Sequence, residues 1–458
     1  MEETMVVTNQ NLSTDMSMFS IEYTPLQEKI AVQLPAMRQR MRRLAKEYGD
    51  RKIGQVSVAQ ALGGLRGVNM LVGDISYVDP YEGIHMRGLS VKQLMERMPK
   101  REGSDIPLAG GIYYLLLVGK MPTLEDALFI EDEWKERRLI PGYVIRMLKA
   151  MPKETHPMTM FSSAILAMQN ESEFVRAYQN GIRKPDYWVP TLEDSLNLTA
   201  SVPAIAAYIY NLKYRKGEFI PMDLDLDWSA NFAHMIGKGD DLEYQELSRL
   251  FFFLHADQGR GNVTAHTTHL VSSTLSDVYY ACSAGLNGLA GPLHGLANQE
   301  CLAWLLDLKA RFGGCPSRAE LEEFAWQTLN DGKVIPGYGH AVLRHTDPRF
   351  TAQLEFGKEY MKDDELFKLV ELVYQVVPRV LTKLGKVKSP WPNVDAISGT
   401  LQYHYGVREF DFYTVLFGVS RILGITAATV WERALGQPIE RPMSMTTDMI
   451  ERMIGLED

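Results

Sequence analysis

Residues 122–138 read PTLEDALFIEDEWKERR, and this stretch decides the fold class. Thr123 stands before an acidic first turn, Glu125 and Asp126. A hydroxyl followed by negative charge meets the unpaired N–H groups that begin a helix. Working outward, GGIYYLLLVG at 110–119 and SVPAIAAYIYNLKYR at 201–215 repeat the pattern of helix, proline or glycine break, helix. Upstream, Met37, Met41, Leu44 and Tyr48 recur at helical spacing, with Arg38, Arg40, Arg42, Arg43 and Lys46 between them. No aromatic residues interleave with these cations as nucleic-acid stacking requires, so a solvated face is the expectation. Segments such as 70–78 read as minor strands or hairpins, too few to build a sheet-based fold. Strands and helices do not alternate, which excludes a doubly wound parallel sheet. The expected fold is all-α.

The chain has 458 residues, 46% hydrophobic and 23% charged, with ample length for a large core. Its 48 basic and 57 acidic residues leave a formal charge of −9. That balance disfavours nucleic acid and anionic membrane as partners, so an anionic ligand must meet a local basic site. Three cysteines without a disulfide-like spacing suit a reducing compartment. No Lys or Arg precedes Lys29, while Glu2, Glu3 and Asp15 do, and the expected location is therefore cytoplasmic. The most apolar run, 414–430, is interrupted by Arg421 and is shorter than the ~20 residues of a membrane span. DLDLD at 223–227 invites a calcium reading, but Trp228 and His234 stand where an EF-hand loop needs Gly and Glu.

Chemistry concentrates between positions 255 and 421. VIPGYGHAVLRHTDPR at 334–349 sets Gly337 and Gly339 around Tyr338, then His340, Arg344, His345 and Arg349. Glycines admit close backbone approach to a ligand, and the cations suggest an anion; a surface turn with solvated arginines suits the same residues. His266 and His269 are three apart, yet the glutamate of an HExxH zinc motif is missing, and a buried polar network is the better reading. His294 follows Gly-Pro before a helical stretch, where the positive end of a macrodipole favours neutral imidazole. Arg421 lies in FYTVLFGVSRILGITAATV among residues buried on any helical face, so it must meet a carboxylate of the protein or of a ligand. Asp395, stiffened by Pro390 and Pro392, is either a turn residue or a general base.

A colinear series of motifs, GQVSVAQALGGLRG, SYVDPYEGIHMRG, LHADQGRGNVTAHTTHL, GLAGPLHGLANQE, VIPGYGHAVLRHTDPRF, SPWPNVDAISG, FGVSRILG and IERPMSM, resembles the citrate synthases in their longer, mitochondrial-like form from about residue 32 to 443. The resemblance implies a nearly all-helical homodimer. Residues 1–295 and 407–458 would form a large domain, and 296–406 a small one that closes over the site. It implies a Claisen condensation of acetyl-CoA with oxaloacetate and thioester hydrolysis to citrate and CoA, with no tightly bound cofactor and no metal. Asp395 would take the methyl proton, His294 would stabilise the enol, and His340 would polarise the oxaloacetate carbonyl. Gln258, Arg349, Arg421 and the partner subunit's Arg441 would hold oxaloacetate. Arg66, Arg344 and Lys388 would meet CoA phosphates, and the backbone from Val334 through Gly337 to Gly339 would cradle adenine. Two positions depart from the family pattern: Gln258 and Ile397 each replace a histidine. The alternatives are a 2-methylcitrate synthase using propionyl-CoA and a non-catalytic relative with a regulatory role.

Overall fold

The computed structural model describes residues 22–340 and 342–456. Helices dominate, and the one sheet among the described residues is three-stranded and antiparallel, from Ser76–Asp79, Gly83–Met86 and Leu89–Ser90. The stretch that opened the sequence reading forms the helix Leu124–Arg137. Thr123 accepts from the N–H of Asp126 while the Asp126 carboxylate accepts from the N–H of Thr123, a closed capping box. The strand expected over 70–78 begins only at Ser76, because the pairing is set by the hairpin turn, where Gly83 takes φ 87°.

The core forms around three helices. Ala109–Val118 is buried at every position, and Tyr413–Leu435 at all but Ala428 and Leu435. Trp188–Tyr214 packs along Tyr413–Leu435, which also touches Leu242–His255, Val263–Ser273 and Val278–Leu289. By length and composition the segment Phe410–Leu435 could cross a membrane, yet 94% of its most apolar window is buried inside the fold. A helix apolar on every face is stable in water only when neighbours cover every face. Five later helices, Ala297–Phe312, Arg318–Asn330, Pro348–Tyr360, Glu365–Leu384 and Asp395–His404, pack chiefly on one another.

The tempting side features are structural. Asp227 caps the helix Trp228–Ala233 by accepting from the N–H groups of Ser229 and Ala230, and it pairs with Arg249 at 2.6 Å. Arg38 donates to the carbonyls of Ala434 and Pro185 at 2.7 and 2.9 Å, so one cation of the basic helix anchors it while Arg40, Arg42 and Arg43 face solvent.

Candidate active site

The glycine turn and the proline-stiffened loop, fifty residues apart in the chain, are laced together. The N–H of Gly339 donates to Trp391 O at 3.1 Å and the N–H of Asn393 to Gly337 O at 2.9 Å. The Asn393 side chain donates to Gly339 O at 3.2 Å, and its carbonyl oxygen accepts the N–H of Asp395 at 2.9 Å. Gly337 has φ 77°, and a Cβ there would stand 2.7 Å from Ala396 Cα. Glycine is therefore required both by conformation and by the approach of the helix that Asp395 begins. These bonds hold His340 and Asp395 on one small framework.

His340 Nδ1 accepts the N–H groups of Val342 and Leu343 at 3.1 and 2.9 Å. A nitrogen that accepts carries no proton, so the neutral ring keeps its hydrogen on Nε2 and can donate there. Burial, then Arg349, lowers its pKa to about 4. Arg349 itself is fully buried in the helix Pro348–Tyr360, where Nε and Nη2 donate to Asp347 at 3.1 and 2.8 Å. Its Nη1 has no hydrogen-bond partner among the described residues. Asp347, also buried, accepts the N–H of Arg349 as the helix cap, and its own N–H donates to Pro392 O at 3.1 Å.

Arg421 is wholly buried. Its Nε donates to His255 O at 3.1 Å and its guanidinium lies 4.8 Å from the Phe417 ring centre, while Nη1 and Nη2 have no hydrogen-bond partner among the described residues. Burial lowers its pKa to about 10. Two buried guanidinium groups thus keep three nitrogens without a hydrogen-bond partner among the described residues, donors whose chemistry suits a small carboxylate. His255 beside them is held neutral, its pKa depressed to about 3 by burial and then by Arg349.

His294 lies in the turn at 291–295, ahead of the helix Ala297–Phe312. Thr264 donates its N–H to Nε2 at 3.4 Å, with its hydroxyl 2.7 Å from the same nitrogen. The proton therefore sits on Nδ1, which can donate. The ring is neutral, its pKa lowered to about 4, but burial and then Arg421 are the cause. Burial and Arg421 act here beside the helix end that the sequence pointed to. Asp395 experiences the opposite push: burial raises its carboxyl to about 6 and Asp347 adds to this, against Arg349 and Arg421.

The structure thus brings together His294, His340, Asp395, Arg349 and Arg421, coupled through their charges. Gln258 is half-buried on the loop whose neighbour Asp257 accepts from Ser76. Arg344 lies at the sheet, its N–H donating to Pro80 O at 2.6 Å and Nη1 to Val342 O at 2.6 Å. Lys388 is exposed next to Ser389, whose carbonyl faces Gly339, and Val334 is 78% exposed. Arg66 and Arg441 are exposed, and no hydrogen bond or ion pair among the described residues ties either side chain to the cluster. Sequence reasoning missed Asp347, Asn393 and Thr264. The pattern Asp-Pro-Arg at 347–349, a helix cap two residues before a cation, was the readable signal for the first.

No group of three or more His, Cys, Asp and Glu among the described residues is arranged to hold a metal ion. His266 and His269 instead face Glu440 and Glu432.

A family profile described as citrate synthase, C-terminal domain, matches residues 64–443. The mitochondrial citrate synthase 4 of Arabidopsis thaliana is 49% identical over 439 residues, covering 96% of this chain and 91% of its own. That of Xiphias gladius is 48% identical over 437 residues, covering 95% and 93%. Among solved structures, citrate synthase of Thermoplasma acidophilum in ternary complex with carboxymethyl coenzyme A and oxaloacetate superposes with TM-score 0.69 at 20% identity, covering 85% of this chain and 96% of its own. The Arabidopsis and Xiphias relatives are named as mitochondrial, which overturns the cytoplasmic expectation. Compartment is a receptor-read address and not a property of the folded body, so the lack of Lys and Arg before Lys29 is a weak guide to it.

Proposed function

The chain belongs to the citrate synthase family, and from that premise we propose that Asp395, His294 and His340 carry the condensation, with Arg349 and Arg421 holding oxaloacetate. The protein is an acyltransferase that condenses acetyl-CoA with oxaloacetate, giving citrate and CoA in the tricarboxylic acid cycle. It uses CoA as a co-substrate and has no tightly bound cofactor.

The observation that carries the assignment of roles is the pair of buried guanidinium groups with unmatched nitrogens beside a carboxyl raised to about 6. Oxaloacetate has two carboxylates and a ketone. Arg421 and Arg349 would take carboxylate oxygens, and the Nε2 hydrogen of His340 would point at the ketone. The Asp395 carboxylate then takes a methyl proton of acetyl-CoA while the Nδ1 hydrogen of His294 bonds the developing enolate oxygen. Base and donor must act together, because an enolate without stabilisation is too high in energy to form. The new carbon–carbon bond places charge on the former ketone oxygen, which His340 meets. Water then cleaves the thioester. The glycine turn of 334–339, with Arg66, Arg344 and Lys388, would receive CoA.

The division into residues 1–295 with 407–458 and 296–406 follows the packing of the five later helices on one another, and closure between the parts would exclude water from the enolate. Arg441, exposed in one chain, would complete the oxaloacetate site of a partner in a homodimer. The mitochondrial matrix is the compartment that the relatives indicate.

Thiol release with acetyl-CoA and with propionyl-CoA on oxaloacetate tests the substrate. Acetyl-CoA is expected to have the larger kcat/KM, and a preference for propionyl-CoA would replace this reading with a 2-methylcitrate synthase. One methylene discriminates by only ~1–3 kcal/mol, so the ratio is the quantity to measure. The acid side of the profile tests the base. Asp395 works ionised and its carboxyl is raised to about 6 in the ligand-free protein, so kcat/KM falls as pH drops through that value, by about tenfold per unit well below it. His294 and His340, both near about 4, remain neutral over most of that limb. A rate flat down to pH ~5 would remove Asp395 from the role.

A further inference from the structure

The helix Val263–Ser273 carries two histidines that the condensation does not use. His266 Nε2 stands 2.9 Å from Glu440 Oε1. His269 lies between two carboxylates, Nδ1 at 3.1 Å from Glu432 Oε2 and Nε2 at 3.4 Å from Glu440 Oε2. Ser273 Oγ accepts the N–H of Glu440 at 3.1 Å, and Ser272 donates to Glu432 at 2.6 Å. Arg260 pairs with Glu432 and reaches Gln437 Oε1 at 3.3 Å. Four side chains of one helix therefore converge on Glu432 and Glu440. Both carboxylates are shielded, at 6% and 16% side-chain exposure, so this is not a solvent-screened surface pair.

The helix Tyr413–Leu435 stops at Gly436, which takes φ 66°, and residues 437–446 have no regular structure. Beyond Gln437, which Arg260 holds, Glu440 is anchored by its N–H and its carboxylate, and the exposed Arg441 follows it directly. Successive Cα atoms are a fixed ~3.8 Å apart, so fixing Glu440 fixes where Arg441 leaves the surface.

We propose that His266, His269 and Glu440 form a latch that positions Arg441 for the partner's oxaloacetate site. They are positioning residues: they touch the strap that bears Arg441 and not the substrate. The latch rests on the reading above that Arg441 holds an oxaloacetate carboxylate across a dimer interface. Without it the strap would give up conformational freedom on every binding event, and that cost appears in the affinity for oxaloacetate.

The test uses the full-length enzyme with Arg441→Ala, Glu440→Gln and the double variant. Glu440→Gln is expected to raise the KM for oxaloacetate about tenfold. The KM for acetyl-CoA at saturating oxaloacetate and the melting midpoint are expected to stay in place. Glu440→Asp should recover part of the loss, and the double variant should be no worse than Arg441→Ala alone. Arg441→Ala with an unchanged oxaloacetate KM would overturn the Arg441 reading and the latch with it. If Arg441→Ala raises that KM while Glu440→Gln leaves it alone, or adds its full effect in the double variant, the latch alone is overturned. Should Glu440→Gln lower the melting midpoint, His266→Gln asks the same question at a ring 34% exposed. An unchanged oxaloacetate KM there overturns the latch.

Discussion

Replacing Asp395 by asparagine is expected to lower kcat by about a thousandfold or more, the upper range for loss of a general base. The amide keeps the shape of the side chain, and the N–H of residue 395 still donates to Asn393, so the first turn of the helix Asp395–His404 is retained. What disappears is an acceptor able to take a proton at neutral pH. Burial already lifts the native carboxyl to about 6, a value at which the ionised form dominates at pH 7 while remaining a stronger base than an exposed aspartate. Unfolding free energy should change by less than about 1 kcal/mol, since no core contact is removed. Thiol release from acetyl-CoA, with oxaloacetate saturating, is the measurement. Retention of a tenth or more of the wild-type rate by a folded variant would assign the proton transfer to another group.

Replacing Arg421 by methionine is expected to separate binding from stability in opposite directions. The guanidinium is wholly buried with Nη1 and Nη2 unmatched within the described protein, and burial holds its pKa down at about 10. Removing such a charge in favour of an apolar chain of similar length relieves desolvation, and stability should rise by about 1–4 kcal/mol or stay level in denaturant unfolding. Oxaloacetate, by contrast, loses a buried charge-assisted partner, worth about 3 kcal/mol or near a hundredfold in kcat/KM. Because Arg421 also holds down the carboxyl of Asp395, the acid limb of the pH profile should move upward in this variant. An oxaloacetate KM equal to wild type would show that Arg421 serves the fold and not the substrate.

Much of this site was legible in the residues themselves. Arg421 stood out because a cation among Phe417, Ile422, Leu423 and Ile425 demands an explanation on any helical face. Asp395 and His340 stood out less by type than by setting, in proline and glycine turns where backbone comes close to something. Asp347, the single acidic residue of the 334–349 patch, received no role because an aspartate before Pro348 reads as a helix cap, and it is one; that it also grips Arg349 by two hydrogen bonds needs a side-chain orientation. His266 and His269 suggested a metal or a polar network. Their carboxylate partners, Glu432 and Glu440, are more than 160 residues away in the chain.

The sequence by itself determined the helical class, the caps and the identities of the reactive groups, because periodicity and capping act within one or two turns of chain. Only the tertiary structure decided the state of those groups. His294 is held neutral by burial and by the charge of Arg421, far along the chain. The Asp395 carboxyl is raised to about 6 because burial desolvates it more than Arg349 and Arg421 stabilise its charge. The bond from Asn393 to Gly337 that aligns the two loops likewise exists only when both are folded together. Desolvation and charge pairing depend on which atoms surround a group in three dimensions, and local sequence does not carry that information.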